Sequence, residues 1–302
     1  MSSHGEAISP RGDMPKNRVR VFHQGRTMSS INSISPDKLA RLIGVPHCPA
    51  LIDVRTDGDY DADPRFPPGA SRRRPESVSD WASEFVGRAS IVIDQCGEQV
   101  SEGVAAWLRH AGARSSDALA GGHLAWVKSG GPLIPSSKVP RRDALGRTIW
   151  VTRSRPKIDR IACPWLIRRF VDPSAVFLFV APAEVSAVAE RFGGAAFDIE
   201  GAFWSHRGER CTFDTMLEEW GLAIEPLQRL AVIVRGADTA RLDLAPEAAG
   251  LLAASLGQSR MYADDLEQLK AGMALYDAFY RWCRDATDEP HNWPATKSGK
   301  AS

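Results

Sequence analysis

Residues Ile91 to Arg109, IVIDQCGEQVSEGVAAWLR, change structural character twice. Ile91-Val-Ile93 is a short β-branched run, the pattern of a buried strand. A polar loop follows that carries Asp94, Cys96 and Gly97, and Ser101 to His110 has the spacing of an amphipathic helix. A loop joining a strand to a following helix presents its backbone N–H groups at the positive end of that helix, so it is built to hold an anion or a thiolate. The stretch therefore raises the question of whether Cys96 is a nucleophile or a thiol near one.

The same alternation extends in both directions. Ser35-Pro-Asp-Lys-Leu-Ala-Arg-Leu-Ile43 is a helix capped by Ser35 with Pro36 in its first turn, and Ala50-Leu-Ile-Asp-Val54 is a buried strand. A polar loop from Arg55 to Pro68, a short strand near Ala70 and a helix over Val78–Phe85 lead into the strand at Ile91. A strand over Ser115–Leu119 and a helix over Leu124–Lys128 complete an α/β domain on a mostly parallel sheet flanked by helices. The Gly-, Pro- and Ser-rich stretch from Ser129 to Asp143 has linker composition. Beyond it, strands at Ile149–Thr152 and Ala175–Val180 and helices at Pro164–Val171 and Ala183–Arg191 precede four helices. Those four, Phe213–Trp220, Pro226–Val234, Pro246–Leu256 and Asp264–Arg284, predict an α+β domain that is mainly helical at its end. The expected organisation is a flexible head over 1–35, a first domain over 36–135, a linker over 136–147, a second domain over 148–287 and a flexible tail over 288–302.

A chain of 302 residues allows two domains, each with its own core. With 38 Lys plus Arg against 37 Asp plus Glu, global attraction to nucleic acid or to an anionic membrane is not expected, and any anion site has to be local. No uncharged run approaches the roughly 18 apolar residues of a membrane helix, and the head holds no signal-like apolar segment, so a cytoplasmic address is expected. Cys48, Cys96, Cys163, Cys211 and Cys283 contain no Cys-x-x-Cys and fit neither a disulfide framework nor a zinc finger.

Leu51-Ile-Asp-Val-Arg55, Pro68-Gly-Ala70, the opening strand-loop-helix and Ala120-Gly-Gly-His-Leu-Ala-Trp126 occur in the order and spacing of a rhodanese-like domain, which this part of the chain resembles over roughly Pro36 to Pro135. The resemblance implies a loop cysteine that accepts a sulfane sulfur as a persulfide and passes it to an acceptor. In the family pattern Cys-x-x-Gly the cysteine follows the strand directly. Anchoring on Gly97 puts Asp94, rather than Cys96, at that position. Glu98 in the loop raises a neighbouring thiol's pKa and repels an anionic donor such as thiosulfate. Three readings stand: Cys96 as a shifted nucleophile, a degenerate domain retained for binding, or a loop in which Asp94 takes another role.

In the second half, Arg153, Arg155, Lys157, Arg160, Arg168 and Arg169 face only Asp159 and Asp172 within one short stretch. Pro164 favours a first helical turn, which would place Cys163 at a helix start where its pKa is lowered, with Arg160 lowering it further. Arg153, Lys157, Arg160 and Arg168 are the expected anion-binding residues, and Cys163 joins Cys96 and Asp94 as a catalytic candidate. His206 and Cys211 lie either side of a Gly-containing turn, ahead of a helix that Thr212 would cap. With Asp159 and Asp238 added in three dimensions they supply ligand types for iron or zinc; the alternative is a buried polar turn.

Pro156-Lys-Ile-Asp-Arg-Ile-Ala-Cys-Pro-Trp-Leu-Ile-Arg-Arg-Phe170, Ser205-His-Arg-Gly-Glu-Arg-Cys-Thr-Phe-Asp214, Pro246-Glu-Ala-Ala-Gly-Leu251 and Tyr276-Asp-Ala-Phe-Tyr-Arg-Trp-Cys283 resemble the carboxy-terminal domain of ChrB-type chromate-resistance proteins. The resemblance implies a role in chromate or oxyanion response, as sensor or resistance factor. Where that family is thought to contact DNA, this chain has the rhodanese-like part, so nucleic acid is not an expected partner. The expected ligand is chromate or a related oxyanion, which Arg forks and helix-start amides would bind. The alternatives are a sulfurtransferase using Cys96 with its own sulfur acceptor, a thiol- or metal-dependent redox enzyme, and a non-catalytic interaction module.

Overall fold

The computed structural model describes residues 32–289, and the expected flexible head and tail fall mostly outside the described residues. The first half contains β1 (Ser33–Ile34), α1 (Pro36–Leu42), β2 (Ala50–Asp53), α2 (Asp57–Ala62), β3 (Arg65–Phe66), β4 (Ala70–Arg72), α3 (Val78–Trp81), β5 (Ala89–Ile93), α4 (Gln99–His110), β6 (Ser115–Leu119), α5 (Gly122–Lys128) and β7 (Ile134–Pro135). The second half contains β8 (Ile149–Arg153), α6 (Asp159–Phe170), β9 (Val176–Val180), α7 (Val185–Phe192), β10 (Ala195–Ala196), α8 (Thr212–Glu219), α9 (Glu225–Asp238), α10 (Glu247–Met261) and α11 (Asp265–Asp285).

Five strands of the first half form one sheet in the order β1-β6-β5-β2-β4, every pair parallel. β3 and β7 make a separate antiparallel pair, and the second half has a parallel sheet in the order β10-β8-β9. This is the α/β architecture followed by a helical end that the alternating pattern predicts. Successive side chains of a strand point to opposite faces, so an uninterrupted apolar strand needs a core on each side. Ile52 and Val92 pack with Val78, Trp81, Phe85, Val104 and Leu108 on one face. Leu51, Ile91 and Ile93 point to the other face, into a core that continues through α1 and α5 into Trp150, Trp165 and Phe170 of the second half.

The two halves therefore share a hydrophobic interior. Polar contacts reinforce it: Gly69 N–H donates to the Phe170 carbonyl at 2.8 Å, and Arg284 donates to the Arg41 carbonyl at 3.2 Å. Gly44 sits at φ 80°, and a Cβ there would run into the Phe170 and Tyr280 rings, so both conformation and space require glycine. The linker stretch is held as well. Lys138 pairs with Glu219 at 2.7 Å, its carbonyl accepts from Trp220 Nε1 at 3.1 Å, and Arg142 pairs with Asp172 at 3.2 Å.

Three local features differ from the sequence pattern. Ser33–Ile34, inside the expected head, pair with Ala118 and Leu119 as an edge strand. α2 forms within the expected polar loop because Thr56 caps it, accepting from Asp59 N–H at 3.1 Å, and Asp57 and Asp59 suit its first turn. α6 begins at Asp159, so Pro164 lies in its second turn and Cys163 is well inside the helix. Tertiary burial outweighs the proline there, since nine of the twelve residues of α6 are buried.

Unfolding in urea, followed by tryptophan fluorescence and by far-UV circular dichroism, is expected to show one transition for both probes. Phe170→Ala should lower stability by about 3–5 kcal/mol. Two separated transitions would contradict a shared interior.

Candidate functional site

Four side chains from distant parts of the second half meet at one point. Asp159 opens α6, Asp198 follows β10, His206 lies in the loop before α8 and Asp238 ends α9. His206 Nε2 is 3.5 Å from Asp159 Oδ2, 3.5 Å from Asp198 Oδ1 and 3.2 Å from Asp238 Oδ2. One ligand atom each from Asp159, Asp198 and His206 lies within 4.8 Å of the others, a spacing that fits a single metal ion. Asp159 is fully buried and Asp198 nearly so, while the imidazole is 40% exposed and closes the site toward solvent.

The backbone is strained to build this arrangement. Ile158, directly before Asp159, has φ 26° and Asp198 has φ 52°. Non-glycine residues in that region cost on the order of 1–3 kcal/mol each and persist where surrounding structure over-determines them. Thr212, the first residue of α8, is one such determinant: its N–H donates to Asp159 Oδ2 at 2.5 Å and its hydroxyl to Asp198 Oδ1 at 2.9 Å. Asp159 N–H in turn donates to Asp238 Oδ1 at 3.4 Å.

Charge in the site is unevenly compensated. Burial raises the Asp159 carboxyl well above its usual range, and the Asp238 and Asp198 charges add to the effect. Among the described residues its Oδ1 is buried without a hydrogen-bond partner. Burial would also raise Asp198, but hydrogen bonds from His206 and Thr212, with the charges of Arg160 and Arg153, bring it below its usual value. Hydrogen bonds to Asp198 and Asp238 push His206 up to about 10. Three carboxyl groups thus surround one imidazolium, and among the described residues the deepest of the three keeps an unsatisfied oxygen.

The structure divides the expected anion-binding residues. Arg153 and Arg160 both reach Asp198 Oδ2, at 3.4 and 3.2 Å, so both are engaged by the protein's own carboxylate. Lys157 is exposed beside Arg155, Ser259 and Arg260, and Arg168 lies at the far end of α6. Of the expected metal ligands, Asp159, His206 and Asp238 converge, whereas Cys211 is buried as the N-cap of α8, where its N–H donates to Asp214 at 3.1 Å. Thr212, the expected cap, is the first helical residue. Asp198 was not apparent in the sequence, where an isolated aspartate after Phe197 carries no spacing signal. Burial raises the thiols of Cys163 and Cys211 well above their usual range, and Asp159 adds to both, so Cys163 has neither the helix-start position nor the depressed pKa expected of a nucleophile.

The loop after β5 has an equally definite arrangement. Asp94 turns its carboxylate into the loop, accepting from the N–H groups of Gly97, of Glu98 at 3.2 Å and of Ser101 at 3.0 Å. α4 has no side-chain cap of its own at Glu98, and Asp94 serves that purpose from outside. Cys96 is exposed, and its thiol is raised by partial burial and by the Glu98, Asp94 and Asp59 charges. The amides that would cradle an anion or persulfide hold the chain's own carboxylate.

Residues 150–283 match the family described as ChrB, C-terminal domain. Protein ChrB of Cupriavidus metallidurans is 36% identical over 159 residues, which cover 51% of this chain and 47% of that protein, so the match spans about half the relative's length. Among solved structures, the rhodanese-like domain protein from Staphylococcus aureus is 23% identical, covering 32% of this chain and 91% of its own, with a TM-score of 0.29. The Alr3790 protein from Anabaena sp. is 29% identical, covering 33% of this chain and 80% of its own, also with a TM-score of 0.29. No helix among the described residues is long and apolar enough to cross a membrane.

Because His206 and Asp159 both hold protons more tightly when folded, their contribution to stability is fully present below their unfolded pKa values and declines as pH rises. Chelator-treated protein should therefore lose stability between about pH 6.5 and 10, and His206→Gln should flatten that slope. Urea titrations across the range check this; stability that rises with pH would refute it. Thiosulfate treatment followed by mass spectrometry should leave Cys96 unmodified, with no cyanide-dependent thiocyanate release.

Proposed function

We propose, for a chain that joins a rhodanese-like unit to a ChrB C-terminal domain, a role in chromate response exercised through a divalent cation held by Asp159, Asp198, His206 and Asp238. The observation that carries this reading is the unpartnered Oδ1 of the fully buried Asp159, amid two further carboxylates and one imidazole. Removing a carboxylate from water is costly unless a counter-charge and hydrogen bonds accompany it; Asp198 has Arg153, Arg160 and Thr212, whereas among the described residues the more deeply buried Asp159 keeps an oxygen with no such partner. A divalent cation that displaces the Asp159 proton would supply the counter-charge for its ionised form and a partner for Oδ1.

The donor set narrows the choice of ion. Oxygen ligands with one imidazole, and thiols that stay protonated outside the set, suit iron better than a structural zinc site rich in thiolates. Arg153, Arg160 and Thr212 bind Asp198 or Asp159 from behind and fix the orientation of the carboxylates, as outer-shell partners of a metal commonly do. The first half contributes a rigid, self-capped fold that covers the other side of the shared core. The occupied Asp94 loop argues against the sulfurtransferase reading.

Protein purified without oxygen is expected to contain near-stoichiometric iron by elemental analysis. Asp159→Asn and His206→Ala should lose it, with affinity falling by more than the roughly 10–100-fold typical of outer-shell changes. Cells lacking the protein and supplied with Asp159→Asn should stay chromate-sensitive, whereas Cys96→Ser should restore resistance. Metal-free wild-type protein together with full rescue by Asp159→Asn would overturn the reading.

A further inference from the structure

A cavity of about 270 Å³ lies between the two halves, walled by the segments around Cys48, Gly69 and Arg88 on one side and by the end of α6 and the Arg142 turn on the other. Its lining includes five arginines, Arg73, Arg88, Arg142, Arg168 and Arg169, against two carboxylates, Glu84 and Asp172. How those charges are matched decides what the cavity can take.

Arg169 is satisfied from behind by both oxygens of Asp277, at 2.8 and 2.7 Å. Arg73 pairs with Glu84 at 2.9 Å, yet among the described residues its Nε is buried without a partner. Asp172 is shared among four donors: Thr148 N–H at 2.6 Å, Thr148 hydroxyl at 2.7 Å, Ser174 N–H at 3.0 Å and Arg142 at 3.2 Å. Neither Arg88 nor Arg168 has a carboxylate within 4.0 Å among the described residues. Arg168 is half-buried, lies 4.9 Å over the Phe177 ring and donates only a long 3.4 Å bond to the Ala175 carbonyl.

We propose that this cavity binds a tetrahedral oxyanion with two negative charges, chromate or its isostere sulfate, with Arg168 as the principal donor and Arg88, Arg73 and Arg142 around it. Planar guanidinium forks match the edges of such an anion, and charge-assisted bonds in a partly desolvated pocket are the strong ones. Burial and the adjacent Arg169 charge both disfavour the Arg168 cation, so an anion beside it relieves a cost already present. Cys48 lines the same cavity, and burial pushes its thiol up to about 11, so it meets the guest as a neutral group; the step proposed is binding without reduction. The inference deepens the chromate reading by placing the anion at the opposite end of α6 from the acidic centre, and it depends on that reading only for the choice of chromate as one probe.

Isothermal titration of the full chain with sodium sulfate and sodium chromate tests it. Saturable binding is expected, weakened about tenfold or more by Arg168→Gln and several-fold by Arg88→Glu, and unchanged by Lys157→Gln, an exposed residue away from the cavity. Chromate bound more tightly than sulfate would identify the specific ligand, and equal affinities would make the site one for such dianions in general; both support the cavity. Arg88 is exposed, so Arg88→Glu remains decisive even if Arg168→Gln fails to fold. Wild-type affinity in Arg88→Glu, or loss of binding in Lys157→Gln, overturns the proposal. Full rescue of chromate resistance by Asp159→Asn alongside weakened anion binding in Arg88→Glu would count against the metal reading alone.

Discussion

α6 is confined on almost every side, and the remainder of the molecule is arranged by that confinement. Its apolar residues are shared between α8, α9, α11 and the sheet of the first half, so Trp165, Phe170 and Tyr280 lie in the same interior as Leu51 and Ile93. A helix so enclosed cannot turn about its axis without breaking contacts on several sides. Asp159 is thereby fixed at one end and Arg168 at the other, about one helix length apart, which is roughly 14 Å at 1.5 Å per residue. The charged residues owe their positions to the apolar ones.

Asp198 separates the two kinds of chemistry. By accepting from Arg153 and Arg160 it holds the positive charge at the start of α6, so those guanidiniums are engaged within the protein. The far end of the helix has no such acceptor for Arg168, and positive charge remains there. A chain whose net charge is close to zero thus keeps internally paired charges at one end of a buried rod and, among the described residues, an arginine without a close carboxylate at the other.

Much of this was legible in the residues, and the parts that were not have physical reasons. Buried strands such as Ile91–Ile93 and long helices such as α11 show in the pattern because their periodicity is set by burial over many residues. The displaced register of the cysteine loop was also readable, since Gly97 fixes the turn and leaves Asp94 beside the strand. Asp198 was not, because its importance comes from a left-handed backbone position and from partners 38 to 45 residues away in Arg160 and Arg153, and neither leaves a local trace. The start of α6 was misplaced for a related reason: Pro164 is a strong local signal, and enclosure by four other elements outweighed it. Arg168 was grouped with Arg153 and Arg160 by proximity in sequence, and α6 carries it away from them.

The carboxylate of Asp94 has a meaning best expressed as a concentration. It is attached to the strand that feeds the loop, so it meets the amides of Gly97, Glu98 and Ser101 at an effective concentration on the order of millimolar or above, set by a tether of a few bonds. A diffusing anion has to exceed that value merely to compete for the same amides, and displacing Asp94 also uncaps α4. The first half is in this sense permanently ligated by its own sequence. The loop amides are thus filled at any solute level.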